Sequence, residues 1–312
     1  MTLNQVCQQY ADFRKALGER FVVNGRYVRA FYQAMGSDID IADVSPDKVN
    51  AFLNGNGPLT TSWQVRHNAL LGLYRFAISR GFVSKSPLPL TIPKLSPTFR
   101  PHIYSVGELW LILKSAESCR RPRSDLDSSA LRTLILLMYG AALRTSETLS
   151  LKIGDVDLAG AVLTIRDSKF FKSRLVPIGS KTAQILIDYI GLRNLRHRRL
   201  DDFFFVGRNS KQIPIHMFER AFIQIRNHAG LRREGGPRNQ PRLHDLRHTS
   251  AVHRLVRWYR EGKDVQKLLP QLSTYMGHTN LAATQVYLSM TPDLLHEANQ
   301  RFERYAMQEV LQ

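Results

Sequence analysis

The sequence has little of what a disulfide framework, a zinc ribbon or a membrane span requires. Its 312 residues include two cysteines, Cys7 and Cys119. They lie far apart and outside any C-x-x-C pair, which argues against a disulfide scaffold or a cysteine-based zinc site and fits a reducing compartment. The strongest apolar run, Leu134 to Leu143, is too short to cross a bilayer. Met1 to Asp12 holds no basic run followed by an apolar one, so no secretory leader is expected. A P-loop and an acidic metal cluster are missing, as are internal repeats and low-complexity tracts. Acidic residues are scarce too: 26 Asp and Glu face 44 Lys and Arg, for a net charge of +18. That surplus favours a polyanionic partner, because each phosphate contact releases condensed counterions. Composition alone leaves a merely solvated basic surface as the alternative.

What is present reads as two folded domains. The hydrophobic fraction of 43% is ordinary for a globular chain. Residues 1 to 90 form a small helical unit, with apolar spacing over Val6 to Leu17 and Tyr27 to Met35. Ser45-Pro46-Asp47 starts a third helix, which stops at Asn54-Gly55-Asn56-Gly57-Pro58. Thr60 to Arg80 is a fourth. Its polar positions, Thr61, Ser62, Gln64, Arg66, His67 and Asn68, suit phosphates and base edges or simply a wet face. Pro87, Pro89, Pro93, Pro97 and Pro101 mark an extended linker, placed at 91–103.

The second unit, 104–312, opens on the capping-box pattern Ser105-Val106-Gly107-Glu108. Leu126 to Tyr139 reads as a buried helix. Ala161 to Arg166 and Arg174 to Ile178 read as a hairpin with Lys169 at or beside its turn. From Thr182 onward the pattern is mostly helical. Thr291-Pro292-Asp293 starts a last helix, 291–312, with Leu295, Ala298, Phe302 and Tyr305 along one face.

Six residues carry candidate chemistry. Arg144 lies between two helices, where its planar fork can meet a phosphate; taken alone it is better explained as an ion-pair partner of Glu147 or Asp155. His244, Arg247 and His248 share one helical face, which concentrates donors. His248 is read as a partly buried structural histidine. Neither a glutamate after His244 nor a third ligand completes a zinc site. Lys169, His278 and Tyr287 add an amine, an imidazole and a phenol.

In this order and context, Ala142-Leu143-Arg144-Thr145-Ser146-Glu147, His244-Asp245-Leu246-Arg247-His248-Thr249 and Met276-Gly277-His278 through Tyr287 resemble the tyrosine site-specific recombinases, or phage-type integrases. The resemblance spans most of residues 105 to 305. It implies a mainly α protein with a small antiparallel β-sheet in the catalytic domain, a two-domain DNA clamp joining a helical core-binding domain to an α/β catalytic domain. It implies Tyr287 as nucleophile forming a 3′-phosphotyrosine. Arg144, Arg247 and His278 would then hold the non-bridging oxygens, Lys169 protonate the 5′-oxygen and His244 assist proton transfer. No metal, nucleotide or other cofactor is expected. Phe170-Phe171 follow Lys169 where the family usually has glycine, so Lys172 stays as a rival amine; Tyr275 is a decoy nucleophile by its spacing.

The partners implied are duplex DNA recombination sites and further protomers, in a homo-tetramer or a mixed recombinase assembly joined through the C-terminal helix. Packing of that helix on its own domain is the equal alternative. The expected setting is the bacterial cytoplasm at the nucleoid, with integration, excision or transposition of a mobile element as the role. A chain of this size is expected to lack the arm-binding domain of large phage integrases. Two rivals share these residues: type IB topoisomerase-like strand relaxation, and a catalytically idle DNA-binding relative within a recombinase assembly. The long stretch from His248 to Gly277, with Arg257-Trp258-Tyr259-Arg260 and Pro270, reads as a surface for a partner or as a longer helical connection.

Overall fold

In the computed structural model, which describes every residue except 37, 57–58, 95–100, 119–125, 167–172, 194–198, 208–210, 290–291 and 311–312, cap chemistry accounts for most helix starts. By contacts the chain divides into Met1–Phe99 and Arg100–Gln312.

The first unit consists of α1 (Leu3–Ala16), α2 (Val22–Met35), α3 (Pro46–Asn54) and α4 (Thr61–Ser79). Ser45 Oγ accepts from the Lys48 amide at 3.4 Å and Pro46 occupies the first helical position, where a missing N–H costs nothing. Leu3, Val6, Phe31, Leu53, Leu70 and Tyr74 meet in one core. Two polar positions of α4 do not face outward as a phosphate reader would. His67 is buried and stacks on Trp63 with centroids 5.1 Å apart. Arg66 is spent on the end of α3, donating through Nη1 to the carbonyls of Phe52 and Leu53 at 3.0 and 3.2 Å. Thr61, Ser62, Gln64 and Asn68 remain exposed.

The second unit opens with α5 (Val106–Ser118). Its capping box is formed: Ser105 Oγ accepts from the Glu108 amide at 3.2 Å, and Glu108 Oε2 from the Ser105 amide at 2.7 Å. The buried helix is α6 (Ser128–Gly140), capped by Asp127 and followed by the short α7 (Thr145–Ser150). β1 (Val156–Asp157), β2 (Val162–Ile165) and β3 (Arg174–Pro177) form an antiparallel sheet in that order, with Ile165 opposite Arg174. The expected hairpin is β2–β3; β1, two residues long, is too short for any periodicity to reveal.

Helices complete the unit: α8 (Ser180–Arg193), α9 (Ile215–His228), α10 (Asp245–Arg260), α11 (Val265–Met276), α12 (Ala282–Gln285) and α13 (Pro292–Val310). The long stretch after His248 is therefore the rest of α10 plus α11. Trp258 and Tyr259 pack, half-buried, on a small core of Val252, Leu255, Leu269, Met276 and Leu294. The face of α13 that carries Leu295 and Phe302 is turned to solvent. Leu294 is the helix's buried anchor, whereas Leu295 and Phe302 are 54% and 67% exposed. Arg260 pairs with Glu297 at 2.7 Å and Arg301 donates to the Lys263 carbonyl at 2.5 Å. The helix thus packs on its own unit through Leu294 and these polar contacts, while Leu295 and Phe302 stay exposed. Among the described residues no helix is long and apolar enough to cross a membrane.

Candidate active site

Glu147 organises the site. It sits in the first turn of α7, where its Oε2 accepts the Arg144 amide at 3.0 Å and so caps the helix. The same carboxylate takes Arg144 Nη1 at 2.6 Å, and Arg174 Nη1 and Nη2 at 3.0 and 2.9 Å. Arg247 Nη1 lies 4.0 Å away. Burial opposes ionisation of Glu147, but the Arg174 hydrogen bonds, the Arg144 amide and the two cations outweigh it and hold the pKa at about 2. One carboxylate thus neutralises part of a three-arginine cluster that would otherwise repel itself.

Each arginine is aimed by backbone carbonyls. Arg144 Nη2 donates to Gly277 O at 2.7 Å. Arg247, only 1% exposed, donates to Ala142 O and, through Nη2, to Met276 O at 2.5 Å. Burial first, then the Arg144 charge, lowers its pKa to about 10, so it stays cationic at neutral pH. Ala142 holds a left-handed φ of +51°, a conformation costly for alanine, which turns its carbonyl toward Arg247 at the corner between α6 and α7.

Arg174 opens β3 and reaches the same hub from the sheet. Its Nε donates to Tyr275 O at 3.0 Å, at the end of α11. There Gly277 ends the helix with φ +67°, and the His278 amide bonds back to Ser273 O at 3.0 Å. A Cβ on Gly277 would lie 2.7 Å from Arg174 Nη1. Gly277→Ala should therefore cost about 1–2 kcal/mol in backbone strain, measured by thermal melting. It should also slow DNA cleavage by displacing Arg174.

His278 follows that corner. Its Nδ1 lies 2.7 Å from Thr284 Oγ1, and burial together with Arg247 and Arg144 lowers its pKa to about 4. Tyr287 stacks on it with centroids 6.1 Å apart. The tyrosine is 2% exposed; burial raises its pKa, while Arg247 and Arg144 pull the other way. His244 precedes α10, exposed at its surface. Desolvation and the Arg247 charge lower its pKa.

The structure thus brings Arg144, Arg247, His278 and Tyr287 into one cluster, with His244 at its edge. Arg144 does pair with Glu147, while Asp155 takes Arg166 instead. Lys169 and Lys172 fall between β2 and β3 in sequence and lie outside the described residues. Tyr275 points elsewhere, donating to Pro177 O at 3.2 Å. Three residues outside the nominated catalytic set also stand in the cluster. Glu147 and Arg174 could have been found from a buried acid three residues after Arg144 and a basic residue opening a strand. His248 was read as structural, yet its Nδ1 is 3.0 Å from Tyr287 Oη.

Residues 111–293 match the model of the phage integrase family. A putative integrase/recombinase, y4rB, of Sinorhizobium fredii is 32% identical over 308 residues, covering 97% of this chain and 98% of the relative. Tyrosine recombinase XerD of Rhizobium meliloti is 28% identical over 289 residues, covering 90% and 86%. Among solved structures, a lambda integrase dimer bound to a core site superposes with a TM-score of 0.69 at 18% identity, covering 94% of this chain and 97% of that one. The Tn1549 transposon integrase in complex with a circular intermediate DNA gives 0.68 at 17% identity, covering 95% and 99%. These last two likenesses concern the fold. By family match and by its full-length relatives, the chain belongs to the phage integrase family and is a tyrosine recombinase.

Proposed function

We propose that this protein cleaves and rejoins duplex DNA at specific sites through a 3′-phosphotyrosine on Tyr287, in the integration, excision or transposition of a mobile element. The observation that carries the proposal is the convergence of two guanidinium groups, Arg144 and Arg247, and the His278 imidazole around one buried phenol. Arg144 and Arg247 hold the non-bridging oxygens of the scissile phosphate and offset the charge that grows as the fifth oxygen approaches. Both are fixed by carbonyls before substrate arrives, so little reorganisation accompanies the step. His278, neutral at pH 7, donates a hydrogen bond to the same oxygens. An amine of the β2–β3 connection, Lys169 or Lys172, protonates the departing 5′-oxygen. The phosphotyrosine conserves the energy of the broken bond, so a second 5′-hydroxyl reverses the chemistry without a nucleotide.

The mobile-element role is supported by the relatives, whose names include a putative integrase/recombinase and a transposon integrase. The first unit is assigned to core-DNA binding. The exposed Leu295 and Phe302 of α13 are assigned to protomer contacts in a tetramer or a mixed assembly. The test uses a nicked duplex bearing the site that the protein itself selects from a random pool. Wild type should become covalently joined to the strand in a form that survives denaturant, and Tyr287→Phe should bind the duplex without joining it. Binding by wild type with no adduct would overturn the proposal.

A further inference from the structure

Tyr287 cannot attack as it stands. Burial holds its phenol protonated, so the attacking oxygen must lose its proton as the bond to phosphorus forms. The group at that oxygen is neither His244 nor His278. His278 lies beside the ring and spends Nδ1 on Thr284, and His244 touches the phenol only through another imidazole. His248 is in direct contact: Nδ1 is 3.0 Å from Oη, and the two rings are tilted by 55° with centroids 5.6 Å apart. The Arg247 guanidinium favours negative charge on the same oxygen, which leaves the phenolic hydrogen for His248.

We propose that His248 is a catalytic residue of this enzyme, the base that accepts the Tyr287 proton during strand cleavage and returns it during religation. In the forward step Oη bonds to phosphorus and the bond from phosphorus to the 5′-oxygen breaks. The phenolic proton passes to His248 Nδ1, and the 5′-oxygen takes a proton from the lysine amine. Religation runs the same transfers backward, so no oxidant, metal or external proton carrier is consumed. His244, with its ring 5.0 Å from that of His248, receives or screens the charge formed. The unliganded imidazole is kept neutral by burial and by His244 and Arg247, with a pKa of about 3, and the proposed role places its one proton on Nε2, so that Nδ1 presents a lone pair to the phenol. A phosphodiester seated among the same cations adds the opposite charge and raises this pKa toward the range in which base catalysis is efficient.

The contact has a second possible meaning, a lock that holds the nucleophile back, and the two differ in sign. The assay is adduct formation on the self-selected nicked duplex, with duplex binding measured alongside. His248→Gly is expected to bind DNA like wild type and to cleave about 10²- to 10⁴-fold more slowly. Added imidazole should restore much of that rate, but none of it in Tyr287→Phe. His248→Asn fills similar space and keeps a hydrogen-bond acceptor without a base; it should bind normally and cleave as poorly as the glycine variant. Cleavage at or above the wild-type rate in either variant overturns the inference and supports the lock. A defect in a DNA-binding glycine variant that imidazole leaves untouched also overturns it, and leaves His248 a structural support of the site. The inference rests on Tyr287 being the nucleophile. If wild type forms no adduct, that assignment falls with it; if wild type reacts and the variants react equally, the role of His248 alone falls.

Discussion

Glu147→Ala is expected to abolish cleavage and to lower the stability of the second unit by about 3–5 kcal/mol, the usual cost of removing one partner from a buried charge cluster. The carboxylate is 4% exposed and sits among Arg144, Arg174 and Arg247. Without it, three cations face each other with little water to screen them, and the Arg144 amide loses its cap. For a unit of this size that loss corresponds to a fall in melting temperature of about 10 °C. The same carboxylate makes a prediction in pH. Its folded pKa of about 2 lies below the ordinary value of 4.5. Its contribution is therefore fully present above pH 4.5 and is lost as pH falls toward 2, on the order of 3 kcal/mol in all. Glu147→Gln, which cannot titrate, should show a flatter stability profile across that interval. A profile parallel to wild type would mean that the cluster does not depend on this charge.

Arg144→Ala should separate chemistry from folding. Arg144 is partly exposed, and its removal leaves Glu147 still paired with Arg174, so the stability cost is about 1–2 kcal/mol. Its loss from the transition state should cost far more, about 10²- to 10³-fold in the rate of adduct formation. Lysine should not rescue it. A single ammonium cannot bridge the Glu147 carboxylate and Gly277 O while also presenting a planar fork to the phosphate. Equal losses of rate and DNA affinity would move Arg144 from the reaction to ground-state binding.

Much of this was legible in the sequence because it is written locally. Ser45-Pro46 and the Ser105–Glu108 box are cap chemistry, and a strand pair with the right alternation flanks Lys169. Order along the chain was enough to nominate Arg144, Arg247, His278 and Tyr287. Contacts between distant segments were not legible. Nothing in the sequence says that Arg174, on a strand, shares a carboxylate with Arg144 on a helix cap, or that the C-terminal corner at Gly277 closes over both. The contact of His248 was hidden for the same reason: a helical position predicts its face, not the phenol 39 residues away that meets it. Which face of α13 is buried on its own unit was not legible either: adjacent helical positions point about 100° apart, and Leu294 is anchored while Leu295 is exposed.

The central claim, that Tyr287 is the residue joined to DNA, is tested most directly by digesting the covalent complex and identifying the peptide that carries the nucleotide. The geometry predicts a phosphotyrosine at Tyr287, within Ala283 to Leu288, and an unmodified Tyr275. A nucleotide on Tyr275, or on any side chain other than Tyr287, would contradict it.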